Sequence, residues 1–596
     1  MGGGLLQLVA YGAQDLYLTG NPQITFFKVV YRRHTNFAIE SRKLTFNGTP
    51  NFGSSSVCNI LKGPDLLHKL YLEITIDSGK MNCSSGDFKA FRWLNWLGHI
   101  LLKKVSFNIS GSEIDKHDGE WYHLLNELKQ KGEKAEAYAE MMGNTPNLTH
   151  IHTTNKVASS DYNIFDGTSN SHTFKLYIPL EFWFTKTPGL ALPLIALNHA
   201  DMTVEIDFED LNNVIWGSHE SSNNYRQQIG TSIFSAGSIP QFTETVLYAD
   251  YVYLDTDERK RFAQSAHEYL IEKVQIGSVT SSSGASKINY TMNFTHPVKE
   301  LVWVIRQKDF ISQDYTQSRA GSQYYNYTTE YDYTGFTGTP EPYTGTGMAG
   351  GRRPQNLWNG LSGISLPYIE NEYEPDLSEL GNAASSKWYS GAQNSANISI
   401  VKSSITAANK KILGYDRIKT YHVDTSTSDG STDPYTSKSL DRFIGPTSTL
   451  QHNSYTTDVA TGLTIASPYY GNWGASGNNT RLLDQGKNPV SLAKIVLNGT
   501  DRISERDGFY FNVIQPYNHH TSCPAPGINV YSFAFDPEDH QPSGSCNFSR
   551  IDNSSIEVTL DSTLNTSSRT SEMKTYAVSY NILRIMSGLG QLAYAN

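Results

Sequence analysis

His150 and His152 form an HxH pair, the spacing that puts two imidazoles on one face of a strand, where they could hold a metal ion. A cupin-type metal site also needs a nearby carboxylate ligand. Residues 153–158 read TTNKVA and supply none, so the pair reads as two neutral loop histidines. His519 and His520 are adjacent, close to Pro516. Neighbours on a strand point to opposite faces, so this pair cannot share one ion. Gly345, Gly347 and Gly350 of GTGMAG satisfy GxGxxG, yet no apolar strand precedes them, and Arg352, Arg353 and Pro354 stand where a phosphate-binding helix should open. There is no GxSxG elbow and no HExxH helix, since His267-Glu268 is followed by Tyr269, Leu270 and Ile271. The basic run Tyr31-Arg32-Arg33-His34 is short and flanked by strand formers, which suits a contact between subunits better than a phosphate site. No catalytic, cofactor-binding or metal residue is therefore expected, and the chain does not read as an enzyme.

The elements around these residues are mostly strands. A chain of 596 residues exceeds the roughly 150-residue modal domain about fourfold, so it must hold more than one core or long insertions. Its 36 Tyr, 25 Phe and 47 Gly favour strands joined by tight turns. The net charge of −10 repels phosphate, and no direct contact with nucleic acid is expected. Four cysteines (Cys58, Cys83, Cys523, Cys546) are too few for a disulfide framework and suit a reducing site of synthesis. The start, MGGGLLQLVA, lacks the basic region of a secretory signal, and Leu6 stands where a myristoylation motif wants Ser or Thr. No later run approaches the roughly 18 apolar residues of a membrane span. The sequons at Asn47, Asn147, Asn326, Asn397, Asn478 and Asn565 are accordingly expected to be unmodified in the main.

An internal repeat decides the organisation. KVSFNISGSEIDKHDG (104–119) matches KIVLNGTDRISERDG (494–508) with one gap, each copy ending in Asp-Gly, read as a turn after a strand. DLLHKLYLEI (65–74) pairs with HPVKELVWVI (296–305), and Val204-Glu205-Ile206 with Ile556-Glu557-Val558. One β unit is thus used twice, in one order. From Ile74 to Lys104 the first copy spans 30 residues, whereas from Ile305 to Lys494 the second spans 189, an insertion of about 159. The inserted text, beginning YYNYTTEYDYTGFTGTPEPYTGTG, is loop chemistry rich in Tyr, Gly, Ser and Thr. A helix is expected from Glu120 to Met142, burying Trp121, Leu124, Leu125 and Leu128. A second, after Asp255 as cap, would place Phe262, Ala266 and Tyr269 on one face between the units.

Four blocks resemble signatures of the major capsid proteins of the nucleocytoplasmic large DNA viruses. They are GNPQITFFKVVYRRHTNFAIE (20–40), ADYVYLDTDERKRFAQSAHEYLIE (249–272), GINVYSFAFDPEDHQPSGSCNFSRID (527–552) and YAVSYNILRIMSGLGQLAYAN (576–596). Chain length and the bulky insertion look more like the mimivirus-like members than the shorter chlorovirus ones. The resemblance implies an all-β chain of two tandem eight-stranded antiparallel jelly-roll sandwiches with a few short helices. On that reading residues 1–24 are an N-terminal arm, 25–255 the first jelly roll, 256–272 the connecting helix, and 273–596 the second jelly roll with its loop insertion at about 307–490.

The resemblance further implies a homotrimer, forming pseudo-hexagonal capsomers of an icosahedral virion shell assembled in the host cytoplasm. Its other partners would be neighbouring capsomers, and minor capsid proteins or the inner membrane reached by the arm. A competing reading is a carbohydrate-binding or glycan-cleaving β-sandwich, with Trp358, Trp388 and Trp473 of the insertion as stacking platforms.

Overall fold

The computed structural model describes residues 3–79, 88–149, 152–153, 173–220, 225–226, 239–282, 284–311, 323–329, 487–561, 564 and 570–594. Sixteen of its strands, labelled in chain order, build two sandwiches. The first uses β1 (Phe37–Asn47), β2 (Ser55–Asn59), β3 (Leu66–Asp77), β4 (Leu102–Ile109), β5 (Ser112–His117), β6 (Thr173–Pro179), β7 (Met202–Phe208) and β8 (Gln241–Leu254). The second uses β9 (His267–Ile276), β10 (Lys287–Thr291), β11 (Pro297–Gln307), β12 (Val490–Leu497), β13 (Thr500–Asp507), β14 (Ile528–Ser532), β15 (Ser554–Leu560) and β16 (Ser571–Met586).

The antiparallel sheets of the first sandwich run β1-β8-β3-β6 and β2-β7-β4-β5, and those of the second run β9-β16-β11-β14 and β10-β15-β12-β13. Adding eight to each label converts one order into the other, so the chain is two copies of one eight-stranded jelly roll. All three sequence pairings fall on equivalent strands: β4-β5 with β12-β13, β3 with β11, and β7 with β15.

Period-two patterning builds the cores. Along β7 and β15 alternate residues are buried, including Val204 and Ile206 in one and Ile556 and Val558 in the other. In the first sandwich these pack with Leu72, Ile74, Val105, Phe107 and Leu176; in the second with Leu301, Trp303, Ile495 and Ala577. Burying each Val, Leu, Ile or Phe contributes about 1.5–3 kcal/mol.

The Asp-Gly pairs do not make the hairpins. The turns between β4 and β5 and between β12 and β13 are Ser110-Gly111 (φ 50° and 78°) and Asn498-Gly499 (φ 50° and 76°), whose left-handed central residues match the strand twist. Asp118 instead caps the Gly119–Lys129 helix, accepting from the Trp121 N–H at 2.8 Å. A Cβ on Gly119 would lie 1.9 Å from the His99 carbonyl oxygen, and one on Gly508 would lie 2.0 Å from that of Val490. Close backbone approach explains both glycines.

The helix expected over 120–142 is two helices, Gly119–Lys129 and Gly132–Met141, broken by extended backbone at Gln130 and Lys131. The connecting helix spans Thr256–Gln264 with Asp255 as cap; Ala266 lies beyond it and Tyr269 falls in β9.

His267 pairs with Ile585 and Gln307 with Ser571, at opposite ends of β16. The connector therefore enters the second sandwich at the end opposite to the one where the insertion leaves. In the first sandwich Phe37 pairs with Leu254, just before the connector, so the N-terminal arm emerges at the connector's end. The chain on either side of residues 330–486 is tied together at the other end. Thr329 N–H donates to the Lys487 carbonyl at 3.0 Å, and Lys487 N–H donates to Thr329 Oγ1 at 3.1 Å.

Candidate assembly surfaces

The first seam joins the two sandwiches. Trp121, Leu124, Leu125 and Leu128, the face expected to be buried, pack on the outer face of the β9-β16-β11-β14 sheet against Val302, Val304, Ile528, Val530, Tyr576 and Val578. Two backbone bonds extend the seam: Ser522 N–H donates to the Leu128 carbonyl at 2.9 Å, and Ala525 N–H donates to Glu127 Oε2 at 3.1 Å.

Charges lock the start of this helix. Lys574 Nζ lies 2.6 Å from Asp118 Oδ2 and 3.0 Å from Glu120 Oε2, with Arg306 Nη1 at 3.7 Å from Glu120 Oε1. The hydroxyls of Tyr576 and Tyr327 donate to Glu120 at 2.9 and 3.0 Å. Burial opposes ionisation of Glu120, but Arg306 and Lys574, with the hydrogen bonds from Lys574 and Tyr576, outweigh it and hold the carboxyl down at about 2. A second bridge joins the sandwiches at Glu272, which takes Lys186 of the first at 2.7 Å and Lys299 of its own. Burial pushes the Lys299 amine down to about 8 although Glu272 favours its charge.

His519 and His520 end a helix, Gln515–His519, and are not on a strand. His519 Nδ1 lies 2.9 Å from the Phe535 carbonyl. His520 is not isolated: its ring sits between Glu538 at 2.9 Å and Glu300 at 3.3 Å. Burial would neutralise this imidazole, but both carboxylates keep it protonated, raising it to about 9. It pins the loop after β14 to the start of β11. Nothing near His520 in sequence signals this, because Glu300 is 220 positions away.

The arm has a different character. All described residues from Gly3 to Asn36, the arm together with the lead-in to β1, are exposed, including Leu8 and Tyr17 of the arm and Phe26, Phe27 and Val30 of the lead-in, and Phe27 reaches 97% exposure. Two short helices, Gly3–Val9 and Leu16–Thr19, bury nothing. Tyr31, Arg32, Arg33 and His34 precede the first strand instead of lying among strand residues. Exposed apolar surface gathered in one segment is the kind that marks interaction sites.

His150, Gly345, Gly347, Gly350, Trp358, Trp388, Trp473, Asn397, Asn478 and Asn565 lie outside the described residues, and His152 starts a two-residue strand. Asn47 is exposed at the end of β1; the Asn326 amide is engaged by Gln323 and Thr328. Among the described residues no group of three or more His, Cys, Asp or Glu is placed to hold a metal, and no helix is long and apolar enough to cross a membrane.

Residues 258–591 match the family model described as large eukaryotic DNA virus major capsid protein, and residues 25–255 match the major capsid protein N-terminus. The chain is 37% identical, over the whole of both chains, to the major capsid protein of Phaeocystis pouchetii virus. It belongs to the major capsid proteins of the large eukaryotic DNA viruses. Capsid protein 1 of Acanthamoeba polyphaga mimivirus, another capsid relative, is 32% identical over all of both chains. The chain also resembles the subunit in the quasi-atomic model of the PBCV-1 virus capsid, with 26% identity and a TM-score of 0.55, covering 96% of this chain and 100% of that one. A major capsid protein is a structural component of the virion.

Proposed function

We propose that this chain is the shell-forming subunit of an icosahedral large DNA virus, working as a homotrimer whose six jelly rolls make a pseudo-hexagonal capsomer. The observation that carries this reading is the duplicated sandwich: two like units per chain let a threefold assembly fill a site of hexagonal packing. Its task is mechanical and not catalytic. The division we propose is an arm at 1–24, a first unit at 25–255, a connector at 256–272 whose last residues enter β9, and a second unit at 273–596 carrying the insertion of about 307–490.

The arm and the insertion leave opposite ends of the sandwiches, so a shell would hold one inward and the other outward. The arm's bare apolar side chains suit the inner side, against minor capsid proteins or the inner membrane, and neighbouring capsomers meet at the flanks. Assembly in the host cytoplasm fits a chain with so few cysteines. Sedimentation of the purified protein tests the oligomer: a species of three times 66.4 kDa is expected, and a stable monomer at tens of micromolar would refute the reading.

A further inference from the structure

We infer that the apolar stripe of the Tyr510–His519 segment is the surface that joins subunits, and that it docks on the outer face of the β1-β8-β3-β6 sheet of a second copy. This rests on the proposed trimer and names its contact. The chain already displays such a junction once, internally. Counting from Asp118, the residues at positions +3, +6, +7 and +10 are Trp121, Leu124, Leu125 and Leu128, all buried on the second sandwich. Counting from the equivalent Asp507, the same positions hold Tyr510, Val513, Ile514 and Tyr517. This second stripe is only partly covered by its own sandwich: Tyr510 and Val513 are half-buried, Tyr510 against the second core, whereas Ile514 is 38% and Tyr517 77% exposed.

The receiving faces correspond as well. Aligning β3 with β11 through the repeat sets Tyr71 beside Val302 and Thr75 beside Arg306. The strand registers then make Tyr248 the counterpart of Tyr576, Val246 of Lys574, and Tyr177 of Ile528. The first-sandwich face is partly open: Tyr177 is 40% exposed and Tyr71 and Tyr248 are half-buried, while Val246 is 2% exposed between them.

The chemistry changes on both sides together. In the internal junction Glu120 meets Lys574, Arg306 and Tyr576. At the corresponding places of the proposed junction the acid is Phe509 and the cations are Val246 and Thr75, while the tyrosine is kept as Tyr248. The acid-to-cation contact of Glu120 thus loses its partners on both surfaces together, and the charges that the receiving face does carry pair among themselves, Glu73 with Lys175 at 2.9 Å and Glu244 with Lys43 at 2.5 Å. The contact is heterologous, so repeating it after each internal junction closes a ring of six units from three chains.

A photo-crosslinking residue, p-benzoylphenylalanine, placed at Tyr517 of the full-length protein tests this. Covalent dimers and trimers are expected, with the new bond on β3, β6 or β8 of another chain. In parallel, Ile514→Asp/Tyr517→Glu should weaken association by about 30-fold or more while leaving the circular dichroism of the monomer unchanged. A wild-type trimer whose cross-links fall elsewhere would overturn the inference and leave the capsomer reading standing. A wild-type protein that stays monomeric would overturn both.

Discussion

Lys574 Nζ lies 3.0 Å from Glu120 Oε2, across 454 positions of chain. The pair joins the last long strand of the second sandwich to the first turn of a helix that belongs to the first. It therefore fixes how the two jelly rolls sit on each other, which a pseudo-hexagonal capsomer must hold constant.

Glu120→Gln leaves Lys574 and Arg306 buried with one countercharge removed. Breaking one side of a buried ion pair costs about 3–5 kcal/mol, so the urea midpoint should fall clearly. The double variant Glu120→Gln/Lys574→Gln should lose less than the sum of its single changes. Additive losses would mean that the two groups are not coupled.

Stability should decline at both ends of the pH range. Glu120 titrates near 2 in the folded chain, below its ordinary 4.5, so its contribution is complete above about 4.5 and is lost as pH falls toward 2. His520 titrates near 9 instead of 6.5, so its contribution is complete below about 6.5 and is lost as pH rises through 9. The charges facing it are Glu300 and Glu538, with Lys129 and Lys299 farther off. Calorimetry should show Tm falling between pH 7 and 10, and His520→Gln should flatten that slope. An unchanged slope in the variant would exclude His520 as its source.

Gly119→Ala and Gly508→Ala each force a methyl against a carbonyl at about 2 Å and should lower soluble yield or Tm strongly. Gly111→Ala has open space around it and loses only through its left-handed backbone, about 1 kcal/mol. Equal losses at the three sites would contradict close approach as the reason for the two Asp-Gly glycines.

Removing Met1–Asn21 should leave trimers intact and impair shell formation, because the described residues of this part of the arm bury nothing on their own chain. Size-exclusion chromatography reads the first effect, and particle counts by negative-stain microscopy in a co-expression system read the second. Loss of the trimer on truncation would move the arm from shell contacts to subunit contacts.

The sandwiches are legible in the sequence because their signals are local and repeated: alternation along β7 and β15, and the same Lys, Asn and Asp-Gly letters in β4-β5 and β12-β13. Asp118-Gly119 reads wrongly as a hairpin turn for a physical reason. A dipeptide that can form a turn serves equally as a helix cap followed by a glycine under a carbonyl, and only the position of His99 separates the two. The buried helix face from Trp121 to Leu128 is visible in the sequence, but not its partner sheet, which begins at β9. The roles of Lys574 and His520 are invisible there, since Glu120 lies 454 positions from Lys574 and Glu300, one of the two acids that hold His520, lies 220 positions from it.

The capsomer is tested most directly by cryo-electron microscopy of the purified, full-length protein. Threefold particles with six jelly-roll densities in a hexagonal outline are predicted, with the arm and the insertion on opposite faces. Monomers, or assemblies without paired sandwiches around a threefold axis, would contradict it.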